Sequence, residues 1–448
     1  PDASQAWKNQ AKGQALFLRG LCYFEMFKRY GGVPLVDSIP DPANAEAQKI
    51  PRSSVEETVN FIVKDADAAA SLLPDKWPSQ HTGRATKGAA LMLKSRTLLY
   101  AASPLYNTST PPIDLPGHNE LICYGNYDVK RWEAAADAAK AVIDWAPSAG
   151  CHLITDQGVD KNYKYVWETP GNAEIIMPSN ITGNPEYPTM SGVWDVCFLV
   201  INNFYVNSAG TMVTQNFVEK YEKKDGTPQI WDPVGGDNLS QMYAELDPRF
   251  GQTIGYNNSY WSPDFPVLKL WEGEGSVPAN QPPRFGCKTG YWQRKLVPER
   301  MNWATLGWMI WNLYRLAEAH LNYAEALNEM GRTEEAREAV RPVRERSGMP
   351  PFPSGMDQKD FRKKIRNERS IELALEEHRL WDIMRWRIAE EEGVMQGNMR
   401  GIKITRQGPD FSYTQYVFEV RTWKPAMYHI PFYRGEVNKG YLIQNPGW

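Results

Sequence analysis

The sequence lacks the features that would place it in several common classes of protein. It has no apolar run of the roughly 18 residues that a membrane-spanning helix needs. Its cysteines are few and scattered, and none forms a C-x-x-C pair, which excludes a zinc ribbon and a disulfide-rich framework. Cys22 lies in an apolar helical pattern, so we expect it to be buried. A bridge between Cys123 and Cys151 stays open.

The chain also lacks an excess of basic residues. It carries 50 Lys and Arg against 53 Asp and Glu, giving a net charge of -3 and a pI near 6.2. Nucleic-acid binding requires a basic surface, so we expect no nucleic-acid partner. The hydrophobic fraction of 42% is ample for a large core, and 448 residues exceed what a single core usually supports.

Catalytic signatures are missing as well. The six histidines show no metal-ligand spacing, and no P-loop, nucleophile elbow or dinucleotide fingerprint is present. We therefore expect no catalytic residue, no metal site and no cofactor. Glycoside hydrolysis needs two facing carboxylates, and nothing singles out a pair among 53 acidic residues. A glycoside hydrolase stays as the lesser alternative.

Residues 1–149 have helical periodicity. The pattern predicts a first helix that ends at Gly31 and a second that is opened by a capping box of Ser54 and Glu57. A third helix follows, and a fourth is predicted to be capped by Asp128. The pattern of residues 1–149 therefore indicates the first part of a helical scaffold.

The sequence pattern changes at residues 150–303, where glycine, proline, asparagine and aromatic residues separate short segments. Helical patterns return in residues 304–448. Residues 323–336 (YAEALNEMGRTEEA) are typical of a tetratricopeptide turn, and residues 132–139 (WEAAADAA) of its second helix. The predicted fold is mainly α: a tetratricopeptide-like scaffold with a large irregular insert of loops, short strands and short helices. The insert is the expected working surface.

A charge-rich helix is predicted from Asp357 to about Arg387. Opposite charges recur along it at helical spacing, which allows pairs within one helix. We interpret them as a semi-buried ion network that locks the helix to its neighbours, in preference to a charged binding face. The predicted pairs are Arg369–Glu372, Glu376–Arg379 and Asp382–Arg385.

Aromatic residues flanked by small polar ones mark the candidate binding surface of the insert. A flat ring offers a stacking plane for the C–H face of a sugar, and a nearby amide bonds its hydroxyls. The candidates are Trp194, Asn203, Tyr205, Asn257, Asn258, Tyr260 and Trp261, with Trp231 and Trp271 in reserve. By contrast, Trp132, Trp381 and Trp386 occupy packing positions on scaffold helices, and we expect them to be buried.

Several segments, in order along nearly the whole chain, resemble the SusD/RagB family of outer-membrane glycan-binding lipoproteins of Bacteroidetes. The matching segments are GQALFLR at 13–19, RYGGVPLV at 29–36, LYAASPLY at 99–106, FVEKY at 217–221, LDPRF at 246–250, YRLAE at 314–318, NYAEA at 322–326, RNER at 366–369, DIMRW at 382–386, YHIP at 428–431 and QNPGW at 444–448.

The resemblance implies a non-catalytic protein that binds an oligosaccharide or polysaccharide at the cell surface. It further implies an N-terminal lipid anchor in the outer membrane, borne by a cysteine outside this chain, and delivery of the glycan to a SusC-like TonB-dependent transporter. The matched segments belong to the scaffold, so they name no glycan-contacting residue. A peptide- or protein-capturing member of the same family is the alternative.

Overall fold

The computed structural model describes residues 3–44, 46–179, 212–237, 239–263, 266–273, 275–276, 288–297 and 311–448. The helices of these residues are α1 (Gln5–Tyr30), α2 (Val55–Leu72), α3 (Lys87–Ala102), α4 (Lys130–Trp145), α5 (Asn162–Glu168), α6 (Gln215–Val218), α7 (Leu239–Glu245), α8 (Arg249–Thr253), α9 (Leu316–Glu329), α10 (Thr333–Arg346), α11 (Gln358–Glu372), α12 (Arg379–Arg385) and α13 (Arg434–Val437). The strands are β1 (Ile175–Ser179), β2 (Gly235–Gly236), β3 (Ile254–Gly255), β4 (Trp292–Gln293), β5 (Trp311–Arg315), β6 (Gly397–Gln407) and β7 (Asp410–Arg421). The predicted mainly helical architecture is confirmed.

Local signals in the sequence set the ends of the first helices. α1 stops at Gly31, whose φ of 79° lies in the left-handed region. A Cβ at this position would lie 2.5 Å from the carbonyl oxygen of Leu121, so the chain needs glycine here. The capping box of Ser54 and Glu57 opens α2 as predicted. At α4 the side chain of Asp128 caps the helix as predicted, because its Oδ1 accepts from the amide of Lys130 at 2.9 Å, although the helix is assigned to begin one residue later, after Val129.

The helices pack as successive pairs. α1 packs on α2, α2 on α3, and α3 on α4, and α4 then packs on α9. Close approach of α3 and α4 depends on Gly88, where a Cβ would lie 2.1 Å from the Trp145 ring. Gly331, with a φ of 78°, makes the predicted turn between α9 and α10. Helices from the two ends of the sequence therefore form one array.

A second hydrophobic core lies under the short elements of the insert. It includes Tyr221, Phe250 and Trp292 from the insert, and Ile402 and Tyr413 from the C-terminal part of the chain. The last two residues belong to the antiparallel hairpin of β6 and β7, which pairs through β7 with β2. Two further antiparallel pairs, β1–β5 and β3–β4, complete the described sheets. The hairpin therefore joins the insert although it follows the scaffold helices in sequence.

Predictions for two kinds of side chain need correction. Cys22 is exposed, because it points outward from α1, and Cys123 and Cys151 are both free thiols. Trp381 is half-buried, because its ring is covered from one side by the cations of the first helix. The ammonium of Lys28 lies 4.7 Å and the guanidinium carbon of Arg29 5.0 Å from the ring centroid of Trp381.

The two other scaffold tryptophans are buried as expected. Trp132 and Trp386 are each 3% exposed. The Trp386 indole donates a hydrogen bond of 2.7 Å to Oε1 of Glu325. Packing on helices at 3.6-residue spacing identified both positions correctly.

The charge-rich segment is two helices and not one. α11 ends at Glu372 and α12 begins at Arg379, and the turn between them places Leu375 and Glu377 at φ values of 63° and 61°. This turn directs Glu376 toward Arg315, whose Nε lies 2.7 Å from the carboxylate. The predicted helix breaks where a buried ion pair needs the chain to turn.

Glu372 is the centre of a buried ion cluster. Its carboxylate is 0% exposed and accepts from Arg249 at 3.0 Å, from Arg315 at 2.6 Å and from Arg346. Glu174 binds the same Arg315 and Arg346, at 3.0 and 2.8 Å. Burial alone would raise the pKa of Glu372, but Arg346, Arg315 and Arg249 hold it well below the usual range.

The cluster joins the insert to the scaffold. Arg249 comes from the insert and reaches Glu368 and Glu372 on α11, at 2.5 and 3.0 Å. Lys295 of the insert binds Glu376 at 2.5 Å. The interpretation as a buried network is confirmed, but most of the predicted partners are wrong. Asp382–Arg385 forms as predicted at 2.8 Å.

Neutralising the centre of the cluster should destabilise the whole protein. In Glu372→Gln, three buried guanidinium groups lose a shared countercharge, which we expect to cost about 3–5 kcal/mol in the free energy of unfolding. Equilibrium denaturation with guanidinium chloride measures this. The matched control is Glu335→Gln, because Glu335 pairs with Arg332 in an exposed bridge and should leave the midpoint unchanged. Equal midpoints for both variants would contradict the prediction.

The scaffold should also be sensitive to acid. Burial opposes ionisation of Glu325, yet Arg385 and Arg369 lower its pKa from 4.5 to about 2. A depressed folded-state pKa gives stability that is complete above pH 4.5 and lost as the pH falls toward 2. We expect the unfolding free energy to drop between these values, with a smaller drop in Glu325→Gln. Denaturant titrations across this pH range test the difference.

Candidate functional site

The residues predicted to contact a ligand fall into two groups. Trp194, Asn203 and Tyr205 lie outside the described residues. Asn257, Asn258, Tyr260 and Trp261 are described, and the structure brings them together at one end of a loop that runs from Tyr256 to Leu268.

Two backbone hydrogen bonds close the base of this loop. The amide of Asn258 donates to the carbonyl of Leu268, and the amide of Leu268 donates to the carbonyl of Ser259, both at 2.8 Å. Asn258 has a φ of 67°, a left-handed conformation that asparagine tolerates better than most residues. The two hydrogen bonds fix the backbone beside Tyr260, whose side chain is 52% exposed. Tyr260 and Asn258 thus present a ring and an amide to solvent from a backbone that two hydrogen bonds hold in place.

Asn257 and Trp261 have a different position. Asn257 is buried, and its Oδ1 accepts from the amide of Leu270 at 3.0 Å, which ties the two arms of the loop together. Trp261 is 5% exposed and meets Trp292 edge to face at 5.9 Å between ring centroids. A Cβ at Gly255 would lie 2.8 Å from the Trp261 ring. Both side chains therefore support the loop from inside.

An aromatic platform lies beneath the loop. Tyr243 packs on Phe250 and Tyr256, with ring centroids at 5.3 and 4.8 Å. Its hydroxyl lies 2.7 Å from that of Tyr291, which in turn donates to Oε1 of Gln215 at 2.6 Å. Burial, with Tyr291 adjoining, raises the pKa of Tyr243 well above its ordinary value. The phenol of Tyr243 therefore stays neutral, and the two hydroxyls link the platform to Gln215.

Sequence reasoning missed this platform. Tyr243, Gln215 and Tyr291 are distant along the chain, and no spacing rule connects them. The reserve candidates belong to the same core. Trp271 is buried against Phe411, with centroids 5.3 Å apart, and Trp231 is half-buried.

The part of the chain that the structure describes has no candidate metal cluster and no candidate membrane-spanning helix. No group of three or more His, Cys, Asp or Glu residues there is arranged to hold a metal ion. None of the helices in that part combines the length and apolar character of a transmembrane span.

The family of the chain follows from its sequence pattern. The pattern of the SusD family matches residues 166–448. A second pattern, described as starch-binding associating with outer membrane, matches residues 2–99. Because the first match covers more than half of the sequence, the chain belongs to the SusD family. It is a member of a family of non-catalytic binding proteins.

Individual relatives agree with this assignment. A SusD-like protein of Formosa agariphila is 24% identical over 411 residues, which is 89% of this chain and 70% of the relative. A crystal structure of a SusD-like protein from Bacteroides fragilis has 29% identity and a TM-score of 0.80, covering 100% of this chain and 81% of that one. A SusD-like carbohydrate binding protein from the same species shares the fold at 22% identity, with a TM-score of 0.72 over 98% of this chain and 80% of that one.

Substitutions of the two neighbouring rings Tyr260 and Trp261 should have different effects on the stability of the protein. Trp261→Ala removes a ring packed in the second core, so we expect a loss of about 3–5 kcal/mol in unfolding free energy. Tyr260→Ala removes an exposed ring and should leave the melting temperature within experimental error. Thermal unfolding followed by near-ultraviolet circular dichroism measures both. A destabilised Tyr260 variant would show that this ring is a packing residue.

Proposed function

We propose that the protein captures an oligosaccharide or polysaccharide at the cell surface without cleaving it. The observation that carries the proposal is membership of the SusD family over residues 166–448. The match of residues 2–99 to a pattern described as starch-binding adds support, as does the shared fold with a SusD-like carbohydrate binding protein. The ligand class comes from these relatives, and the contacts come from the loop.

Tyr260 and Asn258 are the described residues that we assign to the ligand. The exposed phenol ring provides a plane on which the C–H face of a sugar stacks. The Asn258 amide both donates and accepts, which suits a pair of hydroxyls. Asn257 and Trp261 hold this pair in place. Trp194, Asn203 and Tyr205 remain predicted contacts.

The proposed setting is the outer surface of the outer membrane. The description of the pattern matched at residues 2–99 supports association with that membrane. We infer that an N-terminal lipid anchors the protein there and that a SusC-like TonB-dependent transporter receives the glycan. A contact with the transporter requires a rigid protein surface, and the buried cluster around Glu372 holds the insert firmly on the scaffold.

Affinity electrophoresis in gels that contain single polysaccharides tests the function. One stacked ring and a few hydrogen bonds should give a Kd in the micromolar to millimolar range, since ~8 kcal/mol corresponds to micromolar. Tyr260→Ala should reduce the binding free energy by about 1–3 kcal/mol, by analogy with base stacking on aromatic rings, and should therefore reduce the retardation in the gel. Tyr433→Ala is the matched control, because Tyr433 is an exposed ring outside the insert.

The same preparation tests the absence of turnover. Overnight incubation with any retarding polysaccharide should release no shorter chains, as judged by chromatography of the products. Release of oligosaccharides would refute a non-catalytic role. Retardation by none of the polysaccharides, together with binding of peptides, would instead favour the peptide-capturing alternative.

A further inference from the structure

A groove that borders the first core has the composition of a second binding site. Its first cavity, of about 300 Å³, lies between the first turns of α1 and the loop of residues 74–86. An adjoining cavity of about 190 Å³ lies between the same loop, Trp145 and residues 171–178. Trp77, Lys76 and Arg84 line both cavities. Trp7, which is 59% exposed, closes the first cavity from the α1 side. We call this feature the tryptophan groove.

The local sequence builds the groove rigidly. The amide of Lys87 donates to the carbonyl of Pro74 at 2.9 Å, which closes the loop at its ends. The indole Nε1 of Trp77 donates to the carbonyl of Ala85 at 2.7 Å and fixes the orientation of the ring. The His81 ring meets Trp77 edge to face at 6.0 Å. A ring held in this way needs little further ordering when a ligand arrives.

Polar groups for a sugar are present on the α1 wall. Gln10 and Gln14 follow Trp7 at helical spacing and line the same cavity. Their amides both donate and accept, as sugar hydroxyls do. Two indole rings and two side-chain amides line the same cavity, and together they provide the stacking planes and hydroxyl partners expected of a carbohydrate contact.

The charge of the groove is positive. Within the residues that the structure describes, neither Lys76 nor Arg84 lies within ion-pair distance of a carboxylate. On neighbouring helices, in contrast, Lys94 pairs with Asp67 at 2.8 Å. Asp75, the one carboxylate among the described residues that line the groove, accepts a hydrogen bond from the Trp145 indole at 2.7 Å, so two cations outnumber one anion there.

The first turn of α1 reinforces this charge. It contains no acidic residue, and the backbone N–H groups at a helix N-terminus favour an anion. The helix adds to a site that the rings and side-chain cations already define.

We propose that the tryptophan groove binds an acidic sugar unit, a uronate or a sulfate ester, of the captured polysaccharide. The exposed Trp7 ring and the other face of Trp77 take the C–H faces of the sugar. The Arg84 guanidinium, whose carbon lies 5.7 Å from the Trp77 ring centroid, and the Lys76 ammonium take the anionic group. This inference rests on the proposed carbohydrate-binding function and adds a ligand class and a site. The groove borders the first core, whereas the Tyr260 loop covers the second.

Isothermal titration calorimetry with matched pairs of oligosaccharides tests the groove. Oligogalacturonides are compared with their methyl esters, and sulfated galactan oligosaccharides with the desulfated chains. Each pair keeps its backbone and loses its charge, so the two pairs also separate uronate from sulfate. We expect at least one acidic member to bind about 10-fold more tightly than its neutral partner, and less so at high salt.

Variants assign that preference to the groove. The double variant Lys76→Gln/Arg84→Gln should abolish the preference for the acidic member and its salt dependence. Trp7→Ala and Trp77→Ala should each weaken acidic binding by about 5- to 100-fold. Trp7 is exposed, so its variant stays informative even where Trp77→Ala unfolds. Lys94→Gln, which removes a paired cation outside the groove, should bind like the wild type.

Several results would overturn the inference. Equal affinity for the acidic and neutral members of both pairs would do so, as would acidic binding that survives in the double variant and in Trp7→Ala. An oligothymidylate that binds as tightly as the acidic sugar would show a general polyanion surface. Binding of both acidic and neutral polysaccharides that is lost in Tyr260→Ala and unchanged in the groove variants would refute the role of the groove and leave the proposed function standing.

Discussion

The ion cluster around Glu372 is the constraint on which the rest of the structure depends. Three arginines from separate parts of the chain share one buried carboxylate. Ions removed from water are stable only when every partner is in place with good geometry. The cluster therefore permits one arrangement of α11, of the α9 entry at Arg315 and of the insert residue Arg249, and it excludes arrangements that leave any of them unpaired.

This constraint reaches the candidate site through a short path. Arg249 begins α8, and the next residue, Phe250, packs on Tyr256 with centroids 5.1 Å apart. Tyr256 starts the loop that carries Asn258 and Tyr260. Covalent and packing contacts thus connect the exposed ring of Tyr260 to the charged cluster of the scaffold. A binding surface on loops gains precision when its base is fixed in this way.

The sequence predicted what depends on neighbours along the chain. Gly31 and the Ser54–Glu57 pair mark helix ends because their signals are local. It also predicted that the charges near Glu372 are buried, but it paired them within one helix, because partners such as Arg249 and Arg315 are remote in sequence. Tyr260 and Trp261 show the same limit: adjacent rings with similar neighbours differ in exposure because only tertiary packing distinguishes them.

The tryptophan groove was not predictable for a related reason. Trp7 and Trp77 belong to different elements, and neither stands in an asparagine-rich loop of the kind used to choose candidates. Only the packing of α1 on α2 brings the first turns of α1 beside the loop that follows α2. The positive character of the groove is hidden in a composition that is slightly acidic overall.

The C-terminal hairpin has a consequence for the order in which the molecule matures. Ile402, Ile404 and Tyr413 complete a core most of whose other members come from residues 213–297. While the chain emerges in the N-to-C direction, the helical array of α1 to α4 can assemble early from local contacts. The insert must wait with apolar surface uncovered until nearly the last residues arrive. Formation of the candidate site on the insert is therefore a late event in biogenesis, and a chain that ended before the hairpin would lack part of the second core.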